Sequence, residues 1–341
     1  LRHWENDEAP NPKHQNTNNF QLSKCNILKK TTLVIGNWDL ELIWDLDFGI
    51  LDLFMIPPFN YKTPNTIEEA IELLWQAEGK AKIIAGGTDL VIGLRNGDHL
   101  PWFVIDITRI EELRKIEEKN GKVSIGAAAT HSEIAFSPLM KRYGKVLSDA
   151  ASEMGSPQIR NLGTIGGNII NASPAADTIP PLMVLNAMGR VVSKEGERQV
   201  PLDQLFKGPY ETNLKPHELL VQITFQKLSS DMRCSFVRLA RRDAMAIARM
   251  NVAIVLQMEK RKKRIEDVRI AVGSVTPTPQ RMSEAETFLK GKSPDEESLR
   301  KASLKVSETM IRQSGIRPST FYKRPVVEAL FIRALKKALE G

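Results

Sequence analysis

Cysteine is nearly absent: Cys25 and Cys234 are the only two in 341 residues. Two thiols cannot ligate an iron–sulfur cluster, which normally takes four. They also exclude a disulfide framework and a zinc knuckle. Free thiols suit a reducing compartment, and the chain reads as cytoplasmic. Long apolar runs are missing as well. Leu40 to Ile56 comes nearest, broken by Glu41, Asp45, Asp47 and Asp52, so no spanning helix is expected. No basic segment precedes an apolar stretch at the N-terminus, so no secretory signal is expected. Histidines number five and are scattered, which suggests no metal centre. Aromatics make up only 6%, and the Lys and Arg behind the net charge of +7 are mixed with acids. A basic stripe interleaved with aromatics is therefore missing, and nucleic acid is not the expected partner.

What is present is ordinary for a globular protein: 42% hydrophobic and 26% charged residues. The length suits about two domains. Residues 1–54 differ from the rest. They hold three of five tryptophans (Trp4, Trp38, Trp44) and a polar run from Asn11 to Asn19. Five Lys and Arg against eight Asp and Glu make them −3, against +10 for the remainder. They read as an N-terminal extension of unknown role, with the natural domain expected to begin at Met55. Peptides upstream of Met55 in mass spectra of the native protein would contradict that start.

Beyond Met55, α and β patterns alternate. Thr66 and Glu69 form a capping box, and Ile67, Ala70, Ile71, Leu74 and Ala77 fall on one helical face. Gly79 ends that helix. Ala81 to Ala85, Phe103 to Ile107 and Lys122 to Gly126 read as strands, the last after an Asn120-Gly121 turn. Thr130 to Glu133 is a second capping box, which makes His131 a surface residue rather than a ligand. Gly189 to Ser193 and Leu219 to Phe225 are further strands. From Asp231 a second unit carries strands Ala246 to Met258 and Ile265 to Val275 around a basic turn, Lys260 to Arg264. Helices follow: Met282 to Leu289, Pro294 to Met310 with Ser293 as N-cap, and Lys323 to Leu339. A hairpin followed by helices is an α+β module.

Two glycine-rich segments stand out: Ile84-Ala85-Gly86-Gly87-Thr88-Asp89-Leu90 and Asn161-Leu162-Gly163-Thr164-Ile165-Gly166-Gly167-Asn168. Paired glycines permit sharp turns at positive φ and let a ligand approach the main chain. Successive exposed N–H groups make a concave anion site. Thr88, Thr164 and Asn168 add side-chain donors. A lone Gly-Gly is usually just a tight turn; two such loops suit a phosphate-bearing ligand held from both sides. Other phosphate motifs are missing. There is no G-x-G-x-x-G, and Lys290-Gly291-Lys292-Ser293 imitates a P-loop end but has Glu286 where the first glycine belongs.

The segment Gln158 to Asp177, which includes Gly166-Gly167-Asn168 and Ala172-Ser173-Pro174-Ala175-Ala176-Asp177, closely resembles the FAD signature of the molybdenum hydroxylase flavoproteins. These are the medium subunits of xanthine, carbon monoxide and nicotinate dehydrogenases. Ala85 to Leu90 matches the family's other signature. Arg238-Leu239-Ala240-Arg241-Arg242, Ala271 to Val275 and Pro279-Gln280-Arg281 resemble its C-terminal domain. The likeness runs from about Phe59 to about Leu339 in order and spacing.

The resemblance implies an α+β fold: a vanillyl-alcohol-oxidase (PCMH) type FAD-binding domain of two α/β subdomains over 55–228, then an α+β domain of antiparallel sheet and helices over 229–341. It implies that Ile84, Ala85, Gly86, Gly87, Thr88, Asp89 and Leu90 wrap the FAD pyrophosphate and part of the ribityl chain. Thr164, Gly167 and Asn168 would grip the pyrophosphate from the other side, and Asp177 would accept from ribose hydroxyls. Ala128 and Ala129 would lie along the cofactor and Leu220 near the flavin ring. Arg238 stands where the family often has a lysine near the isoalloxazine, and a planar fork is not a point charge.

The implied function is electron relay, with no catalytic acid, base or nucleophile on this chain. Electrons would come from the [2Fe-2S] subunit, fed by a molybdenum-cofactor catalytic subunit, and pass through FAD to NAD or another acceptor. Heterotrimers are implied. A stand-alone flavin oxidoreductase of the same superfamily is one alternative. A non-enzymatic nucleotide- or nucleic-acid-binding regulator is another.

Overall fold

The computed structural model describes residues 33–35, 38–40, 56, 58–242, 245–259 and 263–340. The chain divides at Phe54 and Met55. In the first unit, β1 (Leu33–Ile35) and β2 (Trp38–Leu40) form an antiparallel hairpin. The other expectations for 1–54, Cys25 and a start at Met55 included, lie outside the described residues. So do residues 260–262 of the basic turn.

The second unit opens with a parallel sheet, β3 (Asn60–Lys62), β4 (Ala81–Ile84) and β5 (Phe103–Asp106), in the order β3-β5-β4. Helix α1 (Ile67–Gln76) joins β3 to β4, and α2 (Leu90–Arg95) joins β4 to β5. All five residues of the expected helical face are buried. The cap is half as expected. Thr66 Oγ1 accepts from Glu69 N, but the Glu69 carboxylate turns to Asn65 N at 2.8 Å, one residue before the cap. Two positive-φ residues, Glu78 and Gly79, turn the chain away.

A second subdomain has an antiparallel sheet of five strands: β6 (Ile116–Lys119), β7 (Lys122–Gly126), β8 (Met188–Ser193), β9 (Gly196–Pro201) and β12 (Leu219–Gln226), ordered β6-β7-β12-β8-β9. The turn Asn120-Gly121 has φ of 54° and 78°, the two positive angles of a type I′ hairpin. Between β7 and β8 run six short helices: α3 (His131–Phe136), α4 (Pro138–Tyr143), α5 (Lys145–Glu153), α6 (Pro157–Leu162), α7 (Ile165–Asn171) and α8 (Ile179–Val184). The Thr130 capping box is complete, with both reciprocal bonds made. A small hairpin, β10 (Phe206–Gly208) and β11 (Glu211–Thr212), precedes β12.

The C-terminal part is an antiparallel sheet, β13 (Met232–Leu239), β14 (Met250–Glu259), β15 (Arg264–Gly273) and β16 (Gln280–Arg281). Three helices follow, α9 (Ser283–Leu289), α10 (Glu296–Ser314) and α11 (Thr320–Glu340). Along β14, Val252, Ile254 and Leu256 pack with the helices, while Ala253 and Val255 join the core of the preceding subdomain. A strand covered on both faces reads as a continuous apolar run, as Val252 to Leu256 does here. The strand starts four residues later than expected. Among the described residues, no helix is long and apolar enough to cross a membrane.

Helix α10 corrects one cap. Asp295, not Ser293, is the N-cap, and its carboxylate accepts from Ser298 N at 2.8 Å. That bond holds the Asp295 carboxyl below its usual range. A carboxylate also suits the positive end of a 19-residue helix better than a hydroxyl. Asp295→Ala is expected to lower the thermal midpoint by a few degrees, and Ser293→Ala to leave it unchanged. Parallel melts of the two variants check this.

Candidate functional site

The first glycine loop leaves β4 and enters α2. Gly87 takes φ of +69° to make the turn. Gly86 needs its missing side chain for a different reason. A Cβ there would stand 1.9 Å from Leu162 O, so this loop lies directly on the end of α6. The two glycine segments, some 75 residues apart in sequence, are thus in backbone contact. None of the N–H groups from Ala85 to Asp89 donates to an acceptor among the described residues. Thr88 Oγ1 has only a long contact with Asp89 Oδ2, 3.4 Å. Five consecutive unbonded amides on a half-exposed loop leave donors open to an anion. The exposed Asp89 carboxylate at its end suits hydroxyl donors rather than phosphate.

The second loop works differently. Its amides are already used: Ile165 N on Ala129 O (2.9 Å), Gly166 N on Ala127 O (2.8 Å) and Asn168 N on Thr164 O (3.0 Å). Gly167 N donates to Thr164 Oγ1, which caps α7 through one lone pair and keeps its own O–H to donate. Gly166 is there for packing, since a Cβ would meet Ala127 O at 2.6 Å. Gly163 makes room for His131, whose Cδ2 a Cβ would approach to 3.2 Å. Gly167 alone is exposed, with only Thr164 Oγ1 near its missing Cβ. The unbonded amides expected of both loops are found in the first; the second is a seat whose amides bond within the fold.

His131 is buried, not a surface residue, because α3 starts beneath the second loop and its N–H donates to Gly163 O. Burial, then the neighbouring Arg160, push its pKa down to about 4, so it is neutral. Its Nδ1 has no partner among the described residues.

The seat connects to Asp177. Asn168 Oδ1 accepts from Thr178 Oγ1 at 2.6 Å, leaving the Asn168 amide nitrogen without an acceptor among the described residues. The adjacent Asp177 is 5% exposed. Its Oδ1 accepts from Asn251 Nδ2 at 2.8 Å, and its Oδ2 lies 3.6 Å from Arg238 Nη1. Burial raises its pKa to about 6 against the opposing pull of Arg238. Arg238 donates to Glu153 O and Ala246 O, and its Nε is unpartnered. Asp177 and Arg238, assigned to separate parts of a cofactor, are an ion pair here.

Ala128, Ala129 and Leu220 are 4%, 0% and 3% exposed. Ala128 belongs to the core of the parallel-sheet subdomain, and Ala129 and Leu220 to that of the antiparallel one. Of the three, Ala129 meets the second loop, its carbonyl accepting from Ile165 N. Asn251 and Glu153 escaped the sequence reading, since only strand register and helix packing bring them to Asp177.

These features fit a dinucleotide with a pyrophosphate and hydroxyl groups: free amides on one side, an open glycine and amide donor on the other, a carboxylate beyond. Residues 57–225 match the model of the FAD-binding domain in molybdopterin dehydrogenase, and 235–338 match that of the carbon monoxide dehydrogenase flavoprotein C-terminal domain. The glyceraldehyde dehydrogenase medium chain of Sulfolobus acidocaldarius is 32% identical, over 83% of this chain and 99% of that one. The nicotinate dehydrogenase FAD-subunit of Eubacterium barkeri is 31% identical, over 80% of this chain and 93% of its own. A chain in the structure of Hydrogenophaga pseudoflava carbon monoxide dehydrogenase lacking its Mo-pyranopterin moiety superposes with a TM-score of 0.78 at 31% identity, covering 84% of this chain and 99% of that one. The chain belongs to the FAD-binding medium subunits of the molybdenum hydroxylase family, the oxidoreductases that include the xanthine, carbon monoxide and nicotinate dehydrogenases.

Proposed function

We propose that this chain is the electron-relay subunit of a molybdenum hydroxylase complex. It would stand between a partner's [2Fe-2S] clusters and an acceptor such as NAD, with substrate oxidised on a molybdenum subunit. The observation that carries the reading is the run of free amides from Ala85 to Asp89, locked against the second loop by Gly86. Bound FAD supplies the one- and two-electron chemistry that links such carriers.

The chain's own residues bind and orient. Ile84 to Leu90 would hold the pyrophosphate through backbone N–H groups. Gly167 permits close approach, and Asn168, fixed by Thr178, offers its amide nitrogen from the other side. Asp177 would accept from ribose hydroxyls. Thr164 contributes by capping α7. Ala128, Ala129 and Leu220 shape the wall from beneath, and Arg238 keeps Asp177 charged. The FAD-binding domain would occupy 55–228 and the C-terminal domain 229–341. Two cysteines cannot hold a cluster of four thiolates, so the clusters would belong to the partner. The same cysteine usage favours the cytoplasm.

The test is purification of the tagged chain from its native cells, followed by metal analysis. Stoichiometric molybdenum and iron are expected with the flavin. A metal-free flavoprotein that oxidises an organic substrate alone would support the stand-alone oxidoreductase instead. The acceptor is tested separately. Anaerobic NADH should bleach the flavin band of the loaded chain; an unchanged band would exclude NAD.

A further inference from the structure

Asn251, Arg238 and Gly273 form one row across three strands. In register, Arg238 on β13 pairs with Asn251 on β14, which pairs with Gly273 on β15. The glycine is what lets the asparagine lie as it does. A Cβ on Gly273 would stand 2.4 Å from Asn251 Oδ1 and 3.1 Å from Pro180 Cγ. The row faces Asp177, from the preceding subdomain, whose Oδ1 Asn251 holds at 2.8 Å. Asp177 Oδ2 accepts no hydrogen bond from the described residues, and Arg238 Nη1 stands 3.6 Å away.

Asn251 is 1% exposed, yet its own Oδ1 is buried without a partner. An orphaned buried acceptor is unfavourable, and an apolar residue of similar size would avoid it. A residue placed only for packing would not be an amide. What the amide does is donate to Asp177 at 2.8 Å, with a second, long contact to Ala176 O at 3.5 Å.

We propose that Asn251 is a positioning residue for the cofactor: it fixes the Asp177 carboxylate by one oxygen and leaves the other for a hydroxyl of bound FAD. The C-terminal domain thereby takes part in cofactor binding through a residue that touches no cofactor. This rests on the reading that Asp177 faces FAD. The charged groups around Asp177 are Arg238 on β13, which favours its ionised form, and Glu153 at the end of α5, which opposes it.

The experiment measures FAD affinity by quenching of flavin fluorescence in the full chain between about pH 5 and 8. Wild-type affinity is expected to fall on acidification with a midpoint near 6, where Asp177 takes up its proton. Asn251→Leu removes the donor; it is expected to weaken binding about tenfold at the alkaline end, the weight of one hydrogen bond to a charge, and to move the midpoint up. Asn251→Asp sets a second carboxylate beside the first and should move it further. Asn251→Thr keeps a donor and should restore most of the affinity. Should Asn251→Leu fail to fold, the Asp and Thr variants carry the same comparison. Variants that bind FAD with the wild-type affinity and midpoint overturn the inference alone. A wild-type chain that binds no FAD overturns the reading beneath it.

Discussion

Gly86→Ala is expected to abolish FAD retention and to lower stability by about 3 kcal/mol, the upper range for a forced overpacking. The added Cβ would meet Leu162 O at 1.9 Å, Leu162 C at 2.5 Å and Gly163 N at 2.9 Å. All three are main-chain atoms, so no rotamer relieves the clash. The first loop must lift off the second, and the amides of Ala85 to Asp89 move with it. Gly97→Ala is the control. Gly97 also has positive φ, +75°, but nothing lies within 4 Å of its missing Cβ. It should lose only about 1 kcal/mol from backbone strain and keep its FAD. Urea titrations with flavin content measured on the same samples test the pair. Wild-type FAD content in Gly86→Ala would mean that the loops need not touch for binding.

The second large effect is a pair of opposed pH dependences. Asp177 has its pKa raised from 3.8 to about 6. Its contribution to stability is complete below about 4 and is lost as pH rises through 6. His131 is depressed from 6.5 to about 4. Its contribution is present above 6.5 and is lost as pH falls through 4. Each amounts to about 3 kcal/mol, at 1.36 kcal/mol per unit, so in the wild type they nearly offset each other between those limits.

Single variants unmask them. Relative to wild type, Asp177→Asn should become progressively less stable as pH falls from 6.5 to 4, while His131→Gln should become progressively more stable. Denaturant titrations at several pH values give both difference curves. Flat curves would mean that neither group is buried as described. FAD binding adds a linked effect: hydroxyl donors favour the ionised Asp177, so binding near pH 6 should release protons.

Local chemistry was legible in the sequence wherever one short segment carries the whole signal. The face of α1, the Thr130 capping box and the Asn120-Gly121 turn each lie within a dozen residues, and each formed. Both glycine motifs were legible as places of close main-chain approach, and the two meet at Gly86 and Leu162. Their division of labour was not, because Gly86 and Gly166 are explained only by backbone from elsewhere, Leu162 and Ala127. Strand β13 escaped because Arg233 and Arg238 break its apolar pattern; Arg233 donates to Leu339 O, and Arg238 donates to Glu153 O and Ala246 O and pairs with Asp177. Asn251 could not be read at all. It meets Asp177 across 74 residues, through a register set by the whole sheet. The cap of α10 slipped because Ser293 and Asp295 both suit the role and only the backbone selects one.

The measurement that tests the central claim most directly is the visible absorption spectrum of the purified chain, before and after acid release of its cofactor. The account predicts the bands of an oxidised flavin, FAD in the released fraction and no iron absorption from the isolated chain. A protein that is colourless, and stays so after incubation with FAD, would contradict it.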